Sequence, residues 1–174
     1  MSNGADTASM AATLKTCYTV ILGNAVWLLI PLFGLLTGNR LGLMLILLMI
    51  ASVALILSNN YLAKKWYYSL DMAKGTPYHS HLHNIDNIGF VTFFVTMISG
   101  LAFLILAVVI TNLIKANAGY YAFLVLDFAM SALLVALAVW VVKRASGGMK
   151  LAASGQEFKE DANAKLFGVM SAGG

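Results

Sequence analysis

The sequence predicts an all-α integral membrane protein: four transmembrane helices, a long cytoplasmic helical hairpin between the second and third, and a short C-terminal amphipathic helix. Composition supports this fold, because 60% of the 174 residues are hydrophobic and only 10% are charged, against about 25% in soluble domains. The mean hydropathy is +0.84. Most of the chain also lies in apolar segments long enough to cross a hydrocarbon layer of about 30 Å.

The clearest span is residues 41–57, which read LGLMLILLMIASVALIL and carry no charge. Eleven of these residues are Leu, Ile or Val, and each favours insertion at the bilayer centre by about 0.3 to 0.6 kcal/mol. A water-soluble core helix would show a polar stripe every third or fourth residue, and this segment has none. The segment therefore predicts a membrane span.

Similar reasoning gives four spans in one membrane domain covering residues 1–174. A tight turn at Gly38, Asn39 and Arg40 makes the first two helices antiparallel neighbours. Lys143 and Arg144 are expected to end the fourth helix. The predicted spans are residues 14–37, 41–63, 88–114 and 120–142, with the hairpin tip at 64–87 and a tail at 143–174.

Basic residues near the span ends predict the orientation. We expect both termini on the cytoplasmic side of a bacterial inner membrane or its equivalent. The segment before the first span, MSNGADTASMAATLK, lacks the basic start of a secretory signal, so we expect the first span to be retained. One side of the membrane collects seven basic residues and the other only two: Lys15, Lys64, Lys65, Lys74, Lys143, Arg144 and Lys150 against Arg40 and Lys115.

The hairpin is predicted from two uninterrupted helical segments, residues 41–74 and 77–114, about 51 and 57 Å long at helical rise. Gly75 has the position of a C′ residue, Thr76 of an N-cap and Pro77 of the first helical residue. Residues 84–89 (NIDNIG) are the point at which the second of these helices is most easily broken.

The tail predicts a further helix. Ser154 and Glu157 match a capping box, and the helix would run to about Phe167 before Gly168. Apolar residues line one face of this segment. It is expected to lie on the membrane or on the hairpin, or alternatively to dock on a partner.

Asp127 is the one acidic residue inside a predicted span, and Asn24 is its expected companion in the first span. An intramembrane carboxylate either clamps a neighbouring helix through a hydrogen bond or lies on an ion pathway. The clamp is favoured because no second intramembrane charge exists to pass an ion or proton onward.

Small and polar residues on several spans predict close helix packing. Pro31 is expected to kink the first span, because it leaves the carbonyl of Trp27 without a donor. The small or polar faces comprise Gly34 and Gly38 on the first span, Thr92, Thr96 and Gly100 on the third, and Ser131, Ala132 and Ala136 beside Asp127 on the fourth.

Three histidines cluster at His79, His81 and His83. A helix would bring His79, His83 and Asp86 to one face, a weak candidate for Zn²⁺ or Cu²⁺. The favoured interpretation is an interfacial, partly solvated cluster, so no metal or cofactor is predicted. Haem is disfavoured because no predicted span contains a histidine.

No catalytic motif or internal repeat is present, so the sequence predicts neither an enzyme nor an inverted-repeat transporter. The net charge of +4 reflects span ends rather than nucleic-acid binding. The expected partners are the lipid bilayer and copies of the chain or other membrane subunits. We interpret the protein as a non-catalytic subunit of a secretion, conjugation or respiratory assembly. The alternatives are an oligomeric channel or transporter using Asp127 and Asn24, a self-assembling filament or pore-forming subunit, and a metal-dependent membrane enzyme.

Overall fold

A computed structural model of the chain describes residues 3–29, 50, 52–61, 75–113 and 116–159. All regular structure in these ranges is helical. The elements are α1 (Asn3–Ala25) with a 3₁₀ turn at Val26–Leu29, α2 (residues 52–61), α3 (His79–Leu113) and α4 (Ala116–Ala153).

Three of the described helices are long and apolar enough to cross a membrane: Ala8–Leu29, His79–Ile110 and Ala118–Ala153. The prediction of an all-helical fold is thus confirmed for the described residues, and the three helices are consistent with a membrane protein. The second predicted span lies partly outside the described residues, and its described portion, α2, is helical. Most of the predicted hairpin tip also lies outside them, so the fourth span and the hairpin stay predictions.

The α1 helix begins at Asn3, well before the predicted start of the first span. Met10 and Leu14 explain the extension, because both side chains are buried in the core. The change to a 3₁₀ turn at Val26–Leu29 agrees with the chemistry of Pro31, which has no N–H to offer the carbonyl of Trp27. Residues 30–37 of this predicted span, with Pro31 and Gly34, lie outside the described residues, as does Gly38.

The α3 helix begins at His79, two residues after the predicted start at Pro77. Gly75 has a φ of 80°, a left-handed conformation that suits the predicted C′ glycine. The α3 helix continues without a break through residues 84–89, the predicted weak point, as the prediction of one helix over residues 77–114 requires. Ile85 and Ile88 are buried there, so packing holds this part of the helix in place.

The α4 helix continues past Lys143 and Arg144, where the sequence predicted its end, and reaches Ala153. Burial explains the difference: Arg144, Ala145 and Ala152 are all packed inside the protein. A lysine or arginine ends a membrane span without necessarily ending the helix that contains it.

A Schellman motif ends α4. Gly155 has a φ of 68°, the N–H of Gln156 donates to the carbonyl of Leu151 at 3.0 Å, and the N–H of Gly155 donates to that of Ala152 at 3.2 Å. Ser154 is therefore at the end of one helix and not at the start of another. The predicted tail helix is wrong for residues 156–159, which are non-helical, and residues 160–167 lie outside the described ranges.

The centre of the described bundle is α4, which packs on both α1 and α3, whereas α1 and α3 touch each other little. The α3 and α4 helices are separated by only two residues in the sequence and pack on each other, so they are antiparallel. The α1 helix is also antiparallel to α4: Tyr18 lies on Gly148, yet the turn Val26–Leu29 still packs on α4, which ends at Ala153. A parallel α1 would carry that turn beyond the end of α4.

Large apolar side chains cover the outer surfaces of α3 and α4. Only 17% of the apolar stretch of α3 and 22% of that of α4 are buried inside the protein. Most of the surface of these two helices is therefore available to lipid or to other membrane helices. The most exposed side chains are Ile98, Leu101 and Ile105 on α3 and Tyr121, Val125 and Phe128 on α4.

Replacing Gly155 by alanine tests the helix end. We expect Gly155→Ala to lower the free energy of unfolding by about 1 kcal/mol, because a side chain is strained in the left-handed region. Gly155→Asn is the matched control, since asparagine tolerates this conformation better. Denaturant titration of the protein in detergent, followed by circular dichroism, measures both variants. Equal stability of the alanine and wild-type proteins would contradict the Schellman end.

Candidate functional site

Four buried polar side chains from three helices meet at one end of the bundle. They are Tyr18 of α1, His81 and Asn84 of α3, and Arg144 of α4, and none is more than 8% exposed. We call these four residues the polar junction. The segment that follows α4 closes over it, so four separate parts of the chain converge at this point.

The junction forms a directional chain of hydrogen bonds. Arg144 Nε donates to Asn84 Oδ1, and Asn84 Nδ2 donates to the Tyr18 hydroxyl at 2.9 Å. The Tyr18 hydroxyl lies 3.0 Å from His81 Nδ1, and His81 Nε2 lies 2.9 Å from the carbonyl oxygen of Gln156. Arg144 is a donor only and a carbonyl is an acceptor only, so the direction at both ends is fixed.

That direction assigns the protonation of the histidine ring. Because the Tyr18 hydroxyl already accepts from Asn84, it uses its own proton to donate to His81 Nδ1. His81 Nε2 then carries the proton and donates to the Gln156 carbonyl. The geometry thus selects the neutral tautomer with the proton on Nε2. A proton on Nδ1 would place two donors, the Nδ1–H and the Tyr18 O–H, against each other with no acceptor between them.

The segment after α4 is held on the junction by polar and aromatic contacts. The N–H of Phe158 donates to Ser80 Oγ at 2.8 Å, next to the bond between His81 and Gln156. The ring of Phe158 meets that of His81 edge to face, with 6.0 Å between ring centroids. These contacts explain why residues 156–158 leave the helical path and cross the start of α3.

The Arg144 guanidinium lies between two aromatic rings. Its central carbon is 5.4 Å from the ring centroid of Trp140 and 5.4 Å from that of Phe158. Such cation–π contacts strengthen when water is excluded, and Arg144 is only 8% exposed. Arg144 therefore fixes the tail through Phe158 and α3 through Asn84.

A glycine gives the tyrosine access to α4. A Cβ atom at Gly148 would overlap the phenol ring of Tyr18, so only glycine leaves room for this contact. The adjacent Gly147 meets nothing within 4 Å of its hypothetical Cβ. The close approach of α1 and α4 thus depends on one of two consecutive glycines.

The junction is organised for holding segments together. The amide of Asn84, the hydroxyl of Tyr18 and both ring nitrogens of His81 each face another group of this chain. The Cys17 thiol is buried beside Tyr18 in the apolar core. This arrangement can position helices and couple the tail to them, with each hydrogen bond to a neutral partner contributing about 0.5–1.5 kcal/mol.

The other histidines point away from the junction. His79 and His83 are exposed, and their rings meet edge to face with centroids 4.8 Å apart. Asp86 is partly buried one turn further along α3. Within the described ranges, no group of three or more His, Cys, Asp or Glu side chains could hold a metal ion.

Asn24 and Asp127, the predicted pair, are both partly buried, and no hydrogen bond joins them in the described structure. The two residues lie at different levels along the axis of the bundle. Since α1 is antiparallel to α4 and Tyr18 lies on Gly148, Asn24 is level with about Val142. Asp127 is therefore about 22 Å away along the axis of α4. Asn24 is not the intrachain partner of Asp127.

The remaining predicted packing residues divide into two groups. Thr92, Thr96 and Ser131 are buried, and the Thr96 hydroxyl donates to the carbonyl of Thr92 at 2.6 Å. Gly100 is partly buried, whereas Ala132 and Ala136 are exposed. The alanines are thus not used in packing between the described helices.

Sequence reasoning missed the polar junction because its members serve other roles in a linear reading. In the sequence, Tyr18 is one of several aromatic residues near predicted span ends, Arg144 is one of the basic residues that orient the chain, and His81 is one of three histidines. One usable signal was the pair Gly147 and Gly148 just after Arg144, because small residues on a helix let another element approach its backbone closely. Only the tertiary structure shows that Tyr18 occupies the space above Gly148.

No family model matches this chain, and searches of curated proteins and of solved structures gave no match either.

Removing the Tyr18 hydroxyl tests the junction. We expect Tyr18→Phe to lower the free energy of unfolding by about 2–4 kcal/mol, because Asn84 Nδ2 and His81 Nδ1 both lose a buried partner. Tyr61→Phe is the matched control, since Tyr61 is 65% exposed and should change stability little. Denaturant titration in detergent measures both variants. Equal stability of the two would contradict a continuous hydrogen-bond chain.

Proposed function

We propose that the protein is a non-catalytic structural subunit of a multi-subunit membrane assembly of the secretion, conjugation or respiratory type. It packs within the bilayer on copies of itself or on other membrane subunits. The observation that carries this proposal is the outward face of α4. Ala129, Ala132 and Ala136 recur there at helical spacing, and all three are exposed within a membrane-spanning helix.

A stripe of alanines on a membrane helix lets another helix approach closely, whereas long side chains would keep the two backbones apart. The alanine stripe lies roughly opposite the side of α4 that carries the buried Ser131, Leu134 and Val141. The alanine stripe is therefore exposed, while the opposite face of α4 packs within the bundle. The small buried fractions of α3 and α4 also favour further protein contacts in the membrane.

The position of Asp127 supports the clamp over the pathway. By helical spacing, Asp127 shares the side of α4 that carries Ser131 and Leu134, the side that faces the bundle. A pore formed by copies meeting at the alanine stripe would leave this carboxylate on the far side. We therefore propose that Asp127 acts as a clamp to a neighbouring helix or subunit and does not line an ion pathway.

The polar junction gives this subunit a rigid end. Four parts of the chain are fastened there by hydrogen bonds and cation–π contacts, so the helices can present the alanine stripe in a defined orientation. A binding face on rigid helices loses less conformational entropy when a partner docks.

Ala132→Leu tests the proposed packing face. We expect the purified protein in mild detergent to change from an assembly to single chains, because the larger side chain separates the helix backbones. Native mass spectrometry measures the masses. Ala102→Leu is the matched control, since Ala102 is an exposed alanine within α3 and should leave the assembly intact. Dissociation by both variants, or by neither, would contradict the proposal.

Flux and microscopy separate the alternative functions. Reconstituted wild-type protein should carry no ion flux if it is a structural subunit. Flux that Asp127→Asn abolishes would instead establish a channel or transporter. Negative-stain electron microscopy should show discrete particles, and long regular arrays would establish the filament alternative.

A further inference from the structure

Two buried polar side chains at the contact between α2 and α3 have unmet hydrogen-bonding groups. Asn60 is 8% exposed and Thr92 is fully buried. In the described structure, Asn60 Nδ2, Asn60 Oδ1 and Thr92 Oγ1 have no hydrogen-bond partner. Buried polar groups without partners are rare in folded proteins, because each one loses its hydrogen bonds to water when it is buried.

The Asn60 and Thr92 side chains lie at the same face of α3, where it contacts α2. The Asn60 amide packs against Gly89, where a Cβ atom would overlap Nδ2. Thr92 follows Gly89 by three residues and so lies on the same face of α3, one turn further along. Both Gly89 and Thr92 are buried. The glycine thus gives the amide room to approach α3 beside the Thr92 hydroxyl.

The next hydroxyls along α3 use their protons on their own helix. Thr96 Oγ1 donates to the Thr92 carbonyl at 2.6 Å, and Ser99 Oγ donates to the Val95 carbonyl at 2.6 Å. These two side chains are buried on the same face and need no further acceptor. At the contact between α2 and α3, the described side-chain groups left without a partner are therefore those of Asn60 and Thr92.

The chemistry of the unmet groups selects the ligand. Asn60 offers two amide protons and a carbonyl oxygen, and Thr92 offers a hydroxyl that both donates and accepts. A cation would satisfy the oxygens but would be repelled by the amide protons. An anion would bind the protons but leave the carbonyl oxygen unmet. A small neutral molecule that both donates and accepts satisfies all of them.

We propose that the α2–α3 contact is a binding site for water, in which a bound water molecule bridges the Asn60 side-chain amide and the Thr92 hydroxyl. Buried waters typically make about three hydrogen bonds to groups that otherwise have no partner, and this set of atoms meets that requirement. The water joins α2 to α3 in the way that the polar junction joins α1, α3 and α4. The proposal does not depend on the assembly proposed above.

A double-mutant cycle tests whether the two side chains share this ligand. Asn60→Leu and Thr92→Val each remove one end of the bridge and leave the other group without a partner. We expect each variant to shift the unfolding equilibrium by about tenfold towards the unfolded state, the size of one lost hydrogen bond. The double variant should also shift it by about tenfold, because the bridge is lost only once.

Without a shared ligand, each substitution would shift the unfolding equilibrium towards the folded state instead. Each substitution would then replace an unmet polar group by an apolar one, which stabilises the protein, and the two effects would add. That outcome would overturn the proposal. Thr96→Val combined with Asn60→Leu is the matched control. It makes the same chemical change one turn away, at a hydroxyl bonded to its own helix, and should show no coupling.

Direct detection of bound water in the wild-type protein tests the proposal even if a variant does not fold. In wild-type protein reconstituted in phosphatidylcholine bilayers, water-edited solid-state NMR should transfer magnetisation rapidly from water to the Asn60 amide and Thr92 signals. Exposed residues of the lipid face, such as Ile98 and Ile105, serve as the slow reference. Transfer no faster than at this reference would overturn the proposal. So would a shift of the Asn60 and Thr92 signals when sodium chloride replaces choline chloride, since it would identify a cation.

Discussion

A polar group that is buried away from water, whether by hydrocarbon or by packed protein, needs a partner from within the protein or from a bound molecule. The polar junction meets this requirement by connecting Arg144 to the carbonyl of Gln156 through Asn84, Tyr18 and His81. Each member of the chain satisfies its neighbour, so removing Asn84, Tyr18 or His81 leaves two other groups unmet. This mutual dependence fixes the relative positions of three helices and of the segment after α4.

The same constraint divides the surfaces of the helices by function. Side chains that hydrogen-bond, such as Thr96 and Asn84, lie inside, and long apolar side chains such as Ile98 face outward. The alanine stripe of α4 is an exception to this pattern, because it faces outward and yet presents little apolar surface to lipid. Their value lies in allowing close approach of another helix, and this supports the proposed role in a membrane assembly.

The end of α4 shows how tertiary contacts decide between local signals. Ser154 followed by Glu157 matches a helix start, and Gly155 beside it matches a helix stop, so the local sequence supports both. The stop prevails because Ala145 and Ala152 pack in the core and carry α4 to this point. The Gln156 carbonyl then accepts from His81, and the N–H of Phe158 donates to Ser80 beside it. A new helix starting at Ser154 would not allow these two bonds.

Hydropathy by itself determined that this chain is a membrane protein made of helices, because apolar length is a property of each segment alone. Sequence also indicated the left-handed glycine at Gly75 and the polar face of Thr92 and Thr96 on α3, both of which are local patterns. Tertiary structure alone decided that Tyr18, His81, Asn84 and Arg144 meet. These residues are separated by as many as 126 positions in the sequence, from Tyr18 to Arg144, and their hydrogen bonds depend on how the helices are aligned, which no single segment encodes.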